Sequence, residues 1–226
     1  MSRRTATLLV IFAPFLINLA ASFVIYSTIP PDLWRIDPSE AMKVLYSRIY
    51  SYQSMLMVAV QLAFGLSLLH FTEGLYDLKP RDALLVLGLV ILSIALFSLE
   101  SLASSLLYHT SYSEYGKWFR EVISMTPTWA RYMNALVAPF TAGVFEEVIW
   151  RGYGITRLEE FMSRGKVVLV QAAAFALWHI SPIHVLFVFP IGLAYGYAFV
   201  RRRSLAPLMA AHVVTDLIGF SVWLLA

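Results

Sequence analysis

The sequence predicts an all-α, polytopic bundle of membrane-spanning helices in a single domain covering residues 1–226. Three observations carry that expectation. Of the 226 residues, 59% are hydrophobic and only 14% charged, and the mean hydropathy is +0.71; soluble domains run nearer a quarter charged and under half apolar. The apolar residues fall in runs of about 20, the length a helix needs to cross a bilayer. Finally, a backbone in hydrocarbon must satisfy its own hydrogen bonds, which makes each run a helix.

Seven runs qualify: Thr5–Thr28, Val44–His70, Asp82–Tyr108, Ala130–Arg157, Lys166–Ile180, His184–Val200 and Leu205–Leu225. The first follows Arg3-Arg4, as a signal peptide would. Its stretch from Ala6 to Ile29 exceeds an ordinary signal-peptide core, so it is expected to remain as a span. The fifth run is short, and its junction with the sixth at Ser181-Pro182 is tight. An eighth element lies between the third and fourth runs. Over Tyr112–Met125, Tyr115, Trp118, Phe119, Val122 and Ile123 recur at helical spacing between charges, the pattern of an amphipathic helix in the interface. No Pro/Gly/Ser linker, internal repeat or separate soluble domain is visible.

Basic residues orient the bundle. With the N-terminus in the cytoplasm, the inner segments hold Arg3, Arg4, Lys79, Arg81, Arg151, Arg157, Arg164, Lys166 and Arg201 to Arg203. The outer segments hold Arg35, Lys43, Arg48, Lys117, Arg120 and Arg131, so 11 stand against 6. An N-in, C-out protein is expected. Arg201-Arg202-Arg203 reads first as a topology determinant and second as a contact for anionic membrane lipid. The net charge of +3 forms no basic stripe, so nucleic acid is not an expected partner. The absence of cysteine excludes disulfides, thiolate catalysis and cysteine-bound metal.

Against this apolar background a few polar residues are out of place. Glu146 and Glu147 are adjacent inside the fourth run. A carboxylate in hydrocarbon costs several kcal/mol (about 3 on lenient insertion scales), so two of them imply chemistry or a proton or ion path. Arg151 is four residues beyond Glu147, the right spacing for an ion pair on one helix face. His179 ends the fifth run, and His212 and Asp216 share a face of the last. At 1.5 Å rise per residue, His212 lies roughly 10–12 Å and His179 about 20 Å from the cytoplasmic helix ends. Glu146 reaches a similar depth if its helix continues to about Arg157, so the three helices can bring these groups together.

Two arrangements then suit hydrolysis of a peptide bond. A carboxylate beside an imidazole can deprotonate water while a second histidine steadies an oxyanion. Alternatively Glu146, His179, His212 and Asp216 can hold a divalent metal such as zinc, with an open position for water. No Gly-x-Ser-x-Gly elbow is present. The competing assignment is a non-proteolytic membrane protein, a transporter or a bacteriocin-immunity or binding protein using the same polar cavity. The chain lacks the paired broken helices many transporters show. His184, after Ser181-Pro182, reads as interfacial, and His70 and His109 as solvated span ends. Glu100, inside the third run, either faces the same cavity or pairs with Arg131.

The motifs Glu146-Glu147-x-x-x-Arg151, Phe175-x-x-x-His179 and His212-x-x-x-Asp216, with Phe189-x-x-Gly192 between the last two, resemble in order and spacing those of the CPBP family. That family comprises type II CAAX prenyl endopeptidases and relatives linked to bacteriocin processing and immunity. The resemblance covers about residues 130–220. It implies an intramembrane endopeptidase acting on a hydrophobic or lipidated, in some members C-terminally prenylated, substrate through a site open to the cytoplasm. By the same resemblance Glu146 and His179 would activate water, His212 and Asp216 would stabilise the oxyanion, and Glu147 and Arg151 would be a structural or substrate-orienting pair. Prenyl endopeptidases of the family usually carry Asn where this chain has Asp216, which keeps the metal alternative open.

Overall fold

A computed structural model describes residues 2–107 and 109–224. The expected span ends at Tyr108 and Leu225 lie outside the described residues. Among the described residues the chain is helical and carries no strand. We number nine helical elements: α1 Arg3–Ser27, α2 Pro31–Ile36, α3 Pro38–Thr72, α4 Asp82–Leu107, α5 Tyr112–Met125, α6 over 128–158, α7 Arg164–Leu177, α8 Pro182–Arg202 and α9 Ala206–Phe220, with a 3₁₀ turn continuing to Leu224. Five of them (α1, α3, α4, α8 and α9 with its 3₁₀ turn) are long and apolar enough to cross a membrane by length and composition. α7 is too short to count at 14 residues, and α6 carries Glu146, Glu147 and Arg151.

The outer surface is that of a protein solvated by lipid. Phe23, Leu84, Leu106 and Leu186 expose between 68% and 79% of their area, although a soluble protein buries such side chains. The interior joins Ile11, Val148, Trp150, Trp178, Phe199, Leu205 and Leu208 into one core that draws on both halves of the chain.

Two sets of contacts fix the ends of the bundle. At one end the Leu205 amide donates to the Leu75 carbonyl (2.6 Å), Arg202 grips Asp82 through Nε and Nη2 (2.7 and 2.8 Å), and Arg203 forks onto Glu159 (2.6 and 2.7 Å). Arg3, Arg4 and most other basic loop residues gather at this end, called the basic end below. At the other end Arg48 donates to the Thr28 carbonyl (2.7 Å), Ser47 to the Met125 carbonyl (3.1 Å) and Asn134 to the Tyr50 carbonyl (2.7 Å).

The amphipathic α5 packs at this second end. Its start is a capping box: the Ser111 hydroxyl accepts from the Glu114 amide, and the Glu114 carboxylate accepts from the Ser111 amide (2.8 Å). Its apolar face meets an aromatic floor, with Phe119 edge-on to Tyr50 and Trp223 at centroid distances of 5.9 and 5.8 Å. Lys43 of α3 pairs with Glu121 at 2.5 Å.

Within α6 the hydrogen bonding loosens to π-helical geometry over Met133–Val137 and again over Ala142–Ile155. Pro139 lies between the two stretches and cannot donate to the ladder. The second π segment carries Glu146, Glu147 and Arg151, in keeping with the tendency of such segments to occur at functional sites.

Candidate active site

Two close helix approaches set the site. A Cβ on Gly65 of α3 would lie 2.6 Å from the side chain of Phe145. A Cβ on Gly143 of α6 would lie 2.8 Å from the backbone nitrogen of Val213 on α9. Only glycine permits either contact. Gln61 is four residues from Gly65, and Glu147 four from Gly143, so each approach delivers a neighbouring polar side chain to the facing helix. A third constraint comes from α1. Its Asn18 donates to the Trp178 carbonyl (2.6 Å), and Gln53 donates to the Asn18 side-chain oxygen (2.6 Å). These contacts hold the tight turn after α7, where Ile180 adopts a left-handed φ of 64° that a β-branched residue avoids.

Glu146 and Glu147, both buried, have different surroundings. Glu147 Oε1 accepts from Arg151 Nη1 (3.0 Å) and from His212 Nδ1 (2.8 Å). The Arg151 guanidinium, itself fully enclosed, lies 4.1 Å above the Phe175 ring and 5.3 Å from that of Tyr195. Glu146 Oε1 accepts from the Trp178 indole (2.8 Å) and from the Gln61 amide (2.7 Å). Its Oε2 is buried without a hydrogen-bond partner and lies 3.9 Å from His212 Nε2.

The histidines are held by their other nitrogens. A carboxylate paired with arginine can only accept, so His212 Nδ1 donates and Nε2 is left for chemistry, 3.7 Å from Asp216 Oδ2. His179 Nδ1 lies 3.0 Å from the Phe175 carbonyl, to which it must donate; Nε2 then carries the free lone pair.

Glu146, His179, His212 and Asp216 line one cavity of about 410 Å³, bounded by apolar walls that include Phe97, Val188, Ile191 and Phe220. The cavity runs from the cluster at mid-bundle towards the α5 end, reaching Tyr50, Phe119 and Trp223. All six residues singled out by the motifs therefore meet around His212. Glu100 faces this cavity too. It pairs with His184 Nδ1 (2.8 Å), and the His184 ring packs edge-on against that of His179 at 5.1 Å. His184, expected at the interface, thus also lines the cavity. The Ser181-Pro182 turn begins α8, and the imidazole two residues on points inward. Gln61 and Trp178 escaped sequence reading altogether, since a lone glutamine or tryptophan in an apolar run has no motif around it.

The zinc expectation does not fit this arrangement. Among the described residues no three His, Cys, Asp or Glu side chains converge as a metal cage requires.

Comparison with known proteins agrees with the motifs. Residues 128–218 match the family described as type II CAAX prenyl endopeptidase, Rce1-like. No curated protein and no solved structure matches the chain.

Proposed function

We propose, for a chain whose residues 128–218 match the Rce1-like family of type II CAAX prenyl endopeptidases, that it is an intramembrane endopeptidase driven by a glutamate-activated water. The observation carrying this reading is the asymmetry of Glu146. Two donors hold one oxygen, and the other is bare, buried and aimed at His212.

In the proposed reaction a water at Glu146 Oε2 attacks the scissile carbonyl carbon and Glu146 takes its proton, while His179 Nε2, facing the same cavity, accepts from the hydroxyl of the tetrahedral intermediate. Carrying both protons, His212 donates from Nε2 to the oxyanion while Nδ1 stays on Glu147. Asp216 orients that imidazole. Collapse of the intermediate breaks the C–N bond, and Glu146 returns its proton to the leaving amine. The substrate is an extended peptide end with apolar side chains or a lipid, since the walls beyond the cluster are apolar. Membrane lipids surround the exposed belt.

The excess of basic residues at the basic end supports an orientation with that end, and the N-terminus, in the cytoplasm. The cavity then opens on the opposite side of the membrane. This departs from the cytoplasmic opening implied by family resemblance.

The test is hydrolysis of quenched fluorescent peptides, with and without a C-terminal prenyl-cysteine, by the detergent-purified protein. Glu146→Gln and His179→Ala should abolish cleavage while eluting and melting as folded protein. A chelator should leave the wild type unchanged. Full cleavage by either variant would overturn the mechanism, and proton-driven solute flux in liposomes without cleavage would favour a transporter.

A further inference from the structure

Gln61 lies on α3, far outside the matched segment 128–218. It is 4% exposed and lines the same cavity as Glu146. Its amide can be oriented in one way only. Glu146 Oε1 also accepts from Trp178, and a carboxylate oxygen cannot donate, so the group facing it at 2.7 Å is the NH₂. Gln61 Oε1 is thereby turned away from Glu146, and it is buried without a partner.

Two buried acceptors without partners, Gln61 Oε1 and Glu146 Oε2, thus belong to side chains that are joined by one hydrogen bond and line one cavity. A buried unpaired acceptor is costly, and a water at Gln61 Oε1 would satisfy it. A water molecule has two protons, and this pair offers one acceptor for each.

We propose that Gln61 positions the nucleophilic water: Nε2 fixes Glu146, and Oε1 holds the proton of that water that is not abstracted. The water's lone pair is then directed into the cavity, towards a substrate carbonyl. No bond to Gln61 forms or breaks; the abstracted proton goes to Glu146 Oε2. This deepens the endopeptidase reading and rests on it for its kinetic arm alone.

Gln61→Met keeps the length of the side chain and removes both hydrogen bonds. Gln61→Glu keeps its shape and removes the amide donor. Both are expected to melt within a few degrees of the wild type. On a cleaved peptide, kcat should fall about 10- to 100-fold while KM stays within about twofold, because the residue acts on water and base and not on the peptide. An unchanged kcat in either folded variant overturns the proposal, and so does a loss confined to KM. A second measurement needs no turnover. In infrared difference spectra, the carboxyl band identified by its loss in Glu146→Gln should move in Gln61→Met. If that band does not move, the contact is absent and the proposal falls. If the wild type cleaves no peptide, the protease reading fails separately, and the infrared result still decides whether Gln61 holds Glu146.

Discussion

Removing Arg151 should destabilise the bundle, and removing its partner as well should restore much of the loss. Arg151 and Glu147 are fully enclosed and joined at 3.0 Å. In Arg151→Met the Glu147 carboxylate stays buried with His212 as its one remaining donor. Breaking a buried pair from one side costs about 3–5 kcal/mol. Loss of the guanidinium from above Phe175, at 4.1 Å, adds about 1–2 kcal/mol. In the other direction, Arg151 Nε and Nη2 are themselves buried without partners, and methionine ends that desolvation, worth about 1–3 kcal/mol each. The balance is a net loss of about 1.5 kcal/mol, which at about 2–4 °C per kcal/mol for a chain of this size lowers Tm by about 3–6 °C. Glu147→Gln should cost a similar amount by stranding the guanidinium. The double variant should cost clearly less than the two singles added, by about 2 kcal/mol or more. Thermal unfolding of the four proteins in one detergent closes the cycle. Single losses below about 1 kcal/mol, or strictly additive ones, would refute the view that this is a closed buried pair.

Other outcomes follow from the same geometry. Asp216 lies 3.7 Å from His212 Nε2 and orients it, a task an amide can share, so Asp216→Asn should keep peptide cleavage within about tenfold and Asp216→Leu should lose about 100-fold or more; equal activity of the two variants would argue against an orienting role. The chain has no cysteine, so a single cysteine reports topology cleanly: in intact cells an impermeant maleimide should label Ser113→Cys beside α5 but not Ser163→Cys at the basic end, and the reverse pattern would put the cavity in the cytoplasm and the N-terminus outside. The Glu114 carboxyl is held below its ordinary value of 4.5, chiefly by the Ser111 hydroxyl and next by the Ser111 amide. A depressed folded value means that the stabilisation is present above the unfolded value and is lost as pH falls through the folded one. The protection factors of amides at the start of α5, taken relative to intrinsic exchange at each pH, should therefore fall on acidification below about pH 4.5 in the wild type, and a Glu114→Gln variant should not show that acid step.

What the sequence made legible followed from local rules. Hydropathy sets where helices run, and the Ser111 capping box, the amphipathic face of α5 and the Glu147–Arg151 spacing are all relations between residues a turn apart. Helix ends were less legible. α3 starts six residues before the expected Val44, at Pro38, because Asp37 caps it by accepting from the Glu40 amide (3.0 Å), a polar start that a hydropathy window passes over. α7 stops at Leu177, short of the expected Ile180, because Ser181-Pro182 begins the next helix and Ile180 turns left-handed to reach it. Contacts across the bundle were least legible. Glu100 meets His184 across 84 residues, and Gln61 meets Glu146 across 85. Nothing local distinguishes those side chains from packing residues; what brings Gln61 to Glu146 is Gly65 lying against Phe145.

The adjacent glutamates show how one helix can supply two different carboxylates. Neighbouring residues of a helix point in directions roughly 80–100° apart, the lower figure where it widens to π geometry. On α6 that angle turns Glu147 towards Arg151 and α9, and Glu146 towards α3 and the cavity. Glu147 is neutralised where it stands and fastened to His212 through Nδ1, so its charge fixes the tautomer and position of the imidazole. The hydrogen bonds to Glu146 come from neutral donors, an indole and an amide, and both approach the same oxygen, while His212 Nε2 stands 3.9 Å from the other. Neutral donors can hold a carboxylate without cancelling its charge. The oxygen they leave bare therefore keeps the electron density a base needs, in surroundings that exclude all but a few waters. Exchanging the two environments would leave the motif unchanged and the chemistry impossible, because a base clamped by arginine has neither a free oxygen nor the basicity to take a proton from water.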